Sequence, residues 1–147
     1  MDFQRNLIED DRGIGELLRS SKRIAVLGIK TEAQSNQAAF YVPAFLQRAG
    51  AEIIPVPVYY PDVRQILGVQ VHRDLAIVPG PIDIVDVFRR PADIPQHVEA
   101  LTRLGPRAVW FQSGIRNDDA ARALANAGIL VVQDRCLMVE WRRHVGG

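Results

Sequence analysis

The sequence predicts an α/β protein with a five-stranded, mostly parallel sheet, and two observations carry that prediction. Five short runs are almost continuously apolar rather than alternating, as strands covered on both faces are. Between them lie segments with helical start and stop signals, and a strand–helix–strand repeat of this kind folds through right-handed crossovers. The chain has 147 residues, enough for one domain with a substantial core, and one domain over 1–147 is the expectation.

The strands are expected near residues 23–28 (RIAVLG), 51–58 (AEIIPVPV), 83–88 (DIVDVF), 107–112 (RAVWFQ) and 129–133 (ILVVQ). Residues 93–104 read as a helix with an Asp at its start, a Pro in its first turn and Gly105 as its stop. Residues 117–127 read as a second, with Asn117 as cap and Asp118 and Asp119 as favourable charges in the first turn. In the first crossover Pro43 belongs in a first helical turn, which starts that helix near Phe40 and leaves a loop of roughly ten residues after Gly28. Further helices are expected at GIGELLRSS and LMVEWRRH, and a short helix with an irregular connector over 62–81.

Composition narrows the function classes. Hydrophobic residues make up 48% and charged residues 24%, with a net charge of +1, so no global field favours nucleic acid or an anionic membrane surface. No apolar run is long enough to span a membrane, and the acidic, polar start does not read as a secretion signal. The lone Cys136 excludes an internal disulfide and suits a reducing, cytoplasmic setting.

Open parallel sheets bind ligands at the carboxyl ends of their strands. Those ends here are Gly28-Ile29-Lys30-Thr31, Pro57-Val58-Tyr59-Tyr60, Phe88-Arg89-Arg90-Pro91, Gln112-Ser113-Gly114 and Asp134-Arg135-Cys136. Glycine backbone, cations and aromatic rings on one rim suit a nucleotide carrying phosphates. The G-x-G-x-x-G fingerprint itself is missing.

The order IAVLG, IIPVPV, DIVDVFRRP, AVWFQSGI, VVQDRC, with the tail DRCLMVEWRR, resembles the small stand-alone CoA-binding proteins related to the CoA-binding domain of succinyl-CoA ligase alpha chains. The resemblance runs from about residue 15 to 143. It implies a Rossmann-like three-layer sandwich that binds coenzyme A through its nucleotide half. It implies phosphates near Gly28, Ile29 and Lys30, with Thr31 beside them. The adenine-bearing end would sit between Val58 and Phe88, with Arg89 and Arg90 offered to phosphate oxygens and Gln112, Ser113 and Gly114 lining the neighbouring edge. Two positions depart from the family pattern: Lys30 replaces a small residue, and Pro57-Val58 replaces an Asn-Pro pair.

Each candidate also has a plainer reading. Lys30 is a pyrophosphate partner or a solvated loop lysine. Arg89 or Arg90 grips a phosphate, or one of them pairs with a neighbouring Asp or tops the next helix. Neighbouring side chains leave an extended strand in opposite directions, so only one faces a ligand, with Arg89 preferred. Tyr59 and Tyr60 stack on a base, cover a core edge or make a subunit contact. Cys136 is a weak catalytic candidate, a thiol able to form a mixed disulfide with coenzyme A, or a small buried residue. His72, His97 and His144 lack metal-ligand spacing and read as surface or structural residues. Asp83 and Asp86 fall on opposite strand faces and are no catalytic pair. Ser113 lacks a nucleophile-elbow context.

The favoured function is therefore non-catalytic binding of coenzyme A or an acyl-CoA, with any chemistry supplied by a partner protein. One rival is an NAD or adenine-nucleotide sensor, which would want an acid at the end of the second strand where PVPVYYP stands. Another is a thiol enzyme acting on acyl-CoA or CoA disulfides through Cys136. A third uses Tyr59–Tyr60 and the connector over 75–81 as a homodimer contact.

Overall fold

A computed structural model describes residues 2–146. In chain order the strands are β1 (Arg23–Leu27), β2 (Glu52–Val56), β3 (Gln65–Ile66), β4 (Val69–Gln70), β5 (Ile84–Val87), β6 (Ala108–Phe111) and β7 (Leu130–Val132). The helices are α1 (Asp11–Arg19), α2 (Ala38–Arg48), α3 (Val98–Leu104), α4 (Asp118–Asn126) and α5 (Leu137–His144). The main sheet has the order β2-β1-β5-β6-β7, every pair parallel, so the predicted α/β Rossmann-like class is the one observed.

The apolar runs are continuous because both sheet faces are covered. Ile24 and Val26 of β1 pack under α1, α2 and α5, with Leu18, Leu46 and Trp141. Ala25 and Leu27 face the other way, toward Leu101 of α3 and Leu124 of α4. Leu46, Leu101 and Leu124 are fully buried, and each such side chain contributes roughly 1.5–3 kcal/mol by leaving water. Pro55 lies inside β2, which is tolerated because β2 is an edge strand. At the opposite edge Leu7 bridges Val131 in parallel, extending the sheet by a single residue.

Asn117 caps α4 as expected, its Oδ1 accepting from the Ala120 N–H at 3.0 Å. Three expectations need correction. Pro43 does not sit in a first turn: α2 begins at Ala38, and the proline lies well inside it. A proline there denies the carbonyl of Ala39 its helical donor. The N–H of Lys30 takes that place at 3.1 Å, which ties the loop after β1 to the helix. The segment over 62–81 contains no α-helix. It forms the antiparallel hairpin β3–β4, turning through Leu67 (φ 55°) and Gly68 (φ 74°), and then a 3₁₀ turn at Leu75–Ile77. Leucine is a poor left-handed residue, and two distant side chains fix it: its N–H donates to Glu32 Oε2 at 2.9 Å and its carbonyl accepts from Gln47 Nε2 at 3.0 Å. Finally, two prolines turn the start of the expected 93–104 helix into successive 3₁₀ turns, Pro91–Asp93 and Pro95–His97. Only α3 is α-helical, and it ends at Gly105 as anticipated.

Candidate functional site

The strand order decides where a crevice opens. From β1 the chain leaves along α2 on one face; from neighbouring β5 it leaves along α3 on the other. Adjacent strands whose connections diverge make the switch point at which doubly wound sheets hold ligands. Gly28 and Phe88 stand there, and their backbones touch. Gly28 has φ +85°, and a Cβ on it would fall on the Phe88 carbonyl oxygen and lie 3.3 Å from Arg89 Cδ. Glycine is required for conformation and for space.

Arg89 crosses Gly28 toward the end of β2. Its side chain is 8% exposed, and its Nε donates to His97 Nε2 at 3.2 Å. Nη1 reaches the Tyr59 hydroxyl at 3.5 Å, and the guanidinium lies 5.8 Å from the Tyr59 ring centroid. The nearest carboxylate, Asp93, is 3.9 Å from Nη2 and is held more closely by exposed Arg90, at 2.9 Å. That bond to Arg90 keeps the Asp93 carboxyl below its ordinary range. Arg89 is thus a desolvated cation whose nearest carboxylate stands off at 3.9 Å and is shared with Arg90, an arrangement that favours anionic ligands.

Beside it a cleft of about 450 Å³ is walled by Leu27, Val56, Val58, Leu75, His97 and Ala100. Arg73 also lines it and braces the rim, donating to the carbonyls of Tyr59 (2.9 Å), Tyr60 (2.6 Å) and Val63 (2.8 Å). His97 is half-buried; burial first, then the Arg89 charge, lowers its pKa below the ordinary imidazole value, and Asp93 opposes them.

The loop after β1 is built differently. Gly28 N–H donates to Val56, Lys30 N–H to Ala39, and Thr31 N–H to Gln34 Oε1. Thr31 and Gln34 form a reciprocal capping box. The Lys30 ammonium donates to Gln37 Oε1, while Ile29 is a core residue, 1% exposed. Among the described residues, Ile29 N–H is the one amide over 28–31 without a protein acceptor.

The remaining candidates divide by sheet face. Phe88 packs against the α2–α5 side. Gln112 is buried, and its Oε1 caps α5 by accepting from Leu137 N–H at 2.9 Å. Ser113 is exposed, and Gly114 (φ +82°) donates its N–H to Asp134 Oδ1 at 2.6 Å. Cys136 is a partly buried free thiol packed against the same core side. The geometry therefore gathers Gly28, Val58, Tyr59 and Arg89 around one crevice, with Phe88 across the sheet from it. Sequence reasoning passed over Arg73 and took His97 for a surface or structural residue. Neither carries a local signal, since each reaches the crevice through a turn.

Two other features are less suited to a ligand. A polar cleft of about 310 Å³ lies at the outer edge of β7, away from the switch point. Its cations already have partners: Arg116 pairs with Asp118, and Arg135 bonds the Glu9 carbonyl. Asp11, Glu140 and His144 bring ligand atoms within 4.8 Å of one another. However, Arg143 clasps Asp11 at 2.6 and 2.9 Å, which occupies that carboxylate. Glu140 keeps Arg135 and Arg143 at 3.7 and 3.8 Å, and its Oε1 has no hydrogen-bond partner among the described residues. No helix among the described residues is long and apolar enough to cross a membrane.

The fold defines a doubly wound α/β protein with a crevice at the β1/β5 switch point. Comparison with known proteins is more specific: residues 22–142 match the family described as a CoA binding domain, and the chain belongs to that family. It is similar to the uncharacterised protein YneT of Bacillus subtilis strain 168, at 37% identity over 86% of this chain and 90% of that protein. Among solved structures it resembles a Thermus thermophilus protein (38% identity, TM-score 0.83, covering 92% of this chain and 99% of that one). It also resembles a hypothetical protein of Pyrococcus horikoshii OT3 (30% identity, TM-score 0.83, 94% of each chain).

Proposed function

We propose that this chain binds coenzyme A or an acyl-CoA without catalysing a reaction, holding the nucleotide half at the β1/β5 switch point. The observation that carries the reading is Arg89, a buried guanidinium laid over Gly28 with no carboxylate closer than 3.9 Å, in a chain of the CoA-binding family. A phosphate group supplies the missing anion, and a guanidinium grips it bidentately. The largely apolar cleft beside it accepts the adenine, with Val58 in its wall, Tyr59 against Arg89 and Phe88 across the sheet. Ile29 N–H, Lys30 and Thr31 form the near rim, Arg90 is a solvent-side cation, and Gln112, Ser113 and Gly114 form the far rim.

The end of β2 argues against a nicotinamide dinucleotide. Residues 56–60 contain no acid to take ribose hydroxyls, and the charged group bracing that turn is Arg73. Among the described residues Asp74 is the one acid lining the cleft, and it caps its own turn by accepting from Ala76 N–H. Cys136 has no hydrogen-bonded base among the described residues, which supports a binding role rather than thiol catalysis. Any acyl chemistry then belongs to a partner protein, and a single free thiol suits a reducing cytoplasm.

Calorimetric titration of the reduced protein with coenzyme A, dephospho-coenzyme A, ADP and NAD tests this reading. Coenzyme A binds more tightly than NAD, and Arg89→Ala abolishes the difference. Saturable NAD binding with no heat from coenzyme A would reject the proposal.

A further inference from the structure

The Arg89–His97 pair has a property that anion binding alone does not require. His97 Nε2 accepts a hydrogen bond from Arg89 Nε, so the ring is neutral there and carries its proton on Nδ1. A proton arriving at Nε2 would destroy that acceptor and set two cations face to face in a half-buried cleft. Of the groups around the ring, Asp93 alone draws the imidazole toward its charged form, and it does so against the larger effects of burial and the Arg89 charge. Asp93 is held by Arg90, Asp74 caps its own turn through Ala76 N–H, Arg73 is a third cation, and Tyr59 and Gln96 are neutral. A bound phosphate reverses the balance, because Arg89 Nε and the imidazolium then both donate to it.

We infer that Arg89 and His97 form one proton-linked anion seat, in which His97 gains a proton as a phosphate group docks, so that binding tightens as the pH falls. The identity of the ligand rests on the coenzyme A reading, but the seat depends only on phosphate chemistry. Burial and then the Arg89 charge already lower the imidazole pKa in the ligand-free protein, so an anion has room to raise it. An anion at hydrogen-bond distance favours the charged form. An upward shift of about one pH unit corresponds to about a tenfold gain in affinity across the titration.

The test is an NMR titration of the imidazole of His97 in the wild-type protein, assigned by the signal lost in His97→Gln. It is run without ligand, with coenzyme A and with inorganic pyrophosphate. Gln retains an acceptor for Arg89 but does not titrate, so it also subtracts the ligand's own phosphate ionisation from the pH dependence of affinity. The expected result is a midpoint raised by about one unit on coenzyme A binding, no rise in Arg89→Lys, and a flatter affinity profile for His97→Gln. If coenzyme A binds and the midpoint does not move, the seat is rejected while the ligand reading stands. If coenzyme A fails to bind but pyrophosphate raises the midpoint, the ligand reading fails and the seat stands. No movement with either probe rejects the seat.

Discussion

Two segments leave the sheet at the switch point, and they are built on opposite terms. The loop after β1 is closed on itself: its capping box, the Lys30 to Ala39 bond and the Lys30 to Gln37 contact occupy most of its polar groups. The turn after β5 is open, with Arg89 desolvated and its nearest carboxylate already engaged. Both contain a cation at the mouth of a strand, and in sequence Lys30 is the more conspicuous because it follows a strand-ending glycine. The contrast teaches that a candidate anion site is better sought among buried, weakly paired cations than by position in a motif. A partly exposed cation hydrogen-bonded to its own loop has less to gain from a ligand than a buried one whose nearest carboxylate is held more closely by another arginine.

The sharpest way to break this comparison is to separate the two segments at their point of contact. Gly28→Ala is expected to destabilise the fold by roughly 2–4 kcal/mol, since left-handed strain and collision with the Phe88 carbonyl add. Gly128→Ala shares the positive φ but meets nothing within 4 Å, so it should cost only about 1–2 kcal/mol. Urea unfolding of both variants measures the steric part.

Next, Arg89→Gln should lower coenzyme A affinity roughly 10- to 100-fold, as expected for a lost charge-assisted contact in a dry site. Lys30→Ala should change it by no more than about threefold, in keeping with an exposed charge. Equal losses by calorimetry would overturn the ranking of the two segments.

A smaller effect separates β5 from its neighbours. Asp86 is 0% exposed, and neither carboxyl oxygen has a hydrogen-bond partner among the described residues. Burial raises its pKa well above the ordinary carboxylate value. The folded state then holds a proton that the unfolded state releases, so stability falls as pH rises from the unfolded pKa toward the folded one. Asp86→Asn should remove that slope, giving a more stable protein than wild type at pH 8 and converging with it at low pH. Denaturation midpoints across that range measure it.

The smallest change concerns the link between the β1 loop and α2. In Pro43→Ala the new N–H competes for the Ala39 carbonyl, so hydrogen exchange at Lys30 should accelerate. Global stability should move by less than about 1 kcal/mol, because the added helical bond is offset by a freer unfolded chain.

Much of the architecture was legible in local pattern. The five apolar runs, Asn117 at the start of α4 and Gly105 at the end of α3 all sit where their own chemistry directs. The misses share a cause, which is that a remote group altered what local rules allow. Pro43 enters a helix because Lys30 provides the donor its carbonyl partner lacks. Leu67 turns left-handed because Glu32 and Gln47 grip its backbone. His97 reaches the crevice because two prolines shape the turns that precede α3.

The amino-acid order alone was sufficient for fold class and for the residues that end each strand, because hydrophobic periodicity and helix ends act within a few residues. The tertiary structure decided which strands are neighbours, and so which pair of strand ends forms the crevice. It also decided which charges are left without partners there. Those depend on burial and on contacts between distant segments, for which a short stretch of sequence holds no local physical cause.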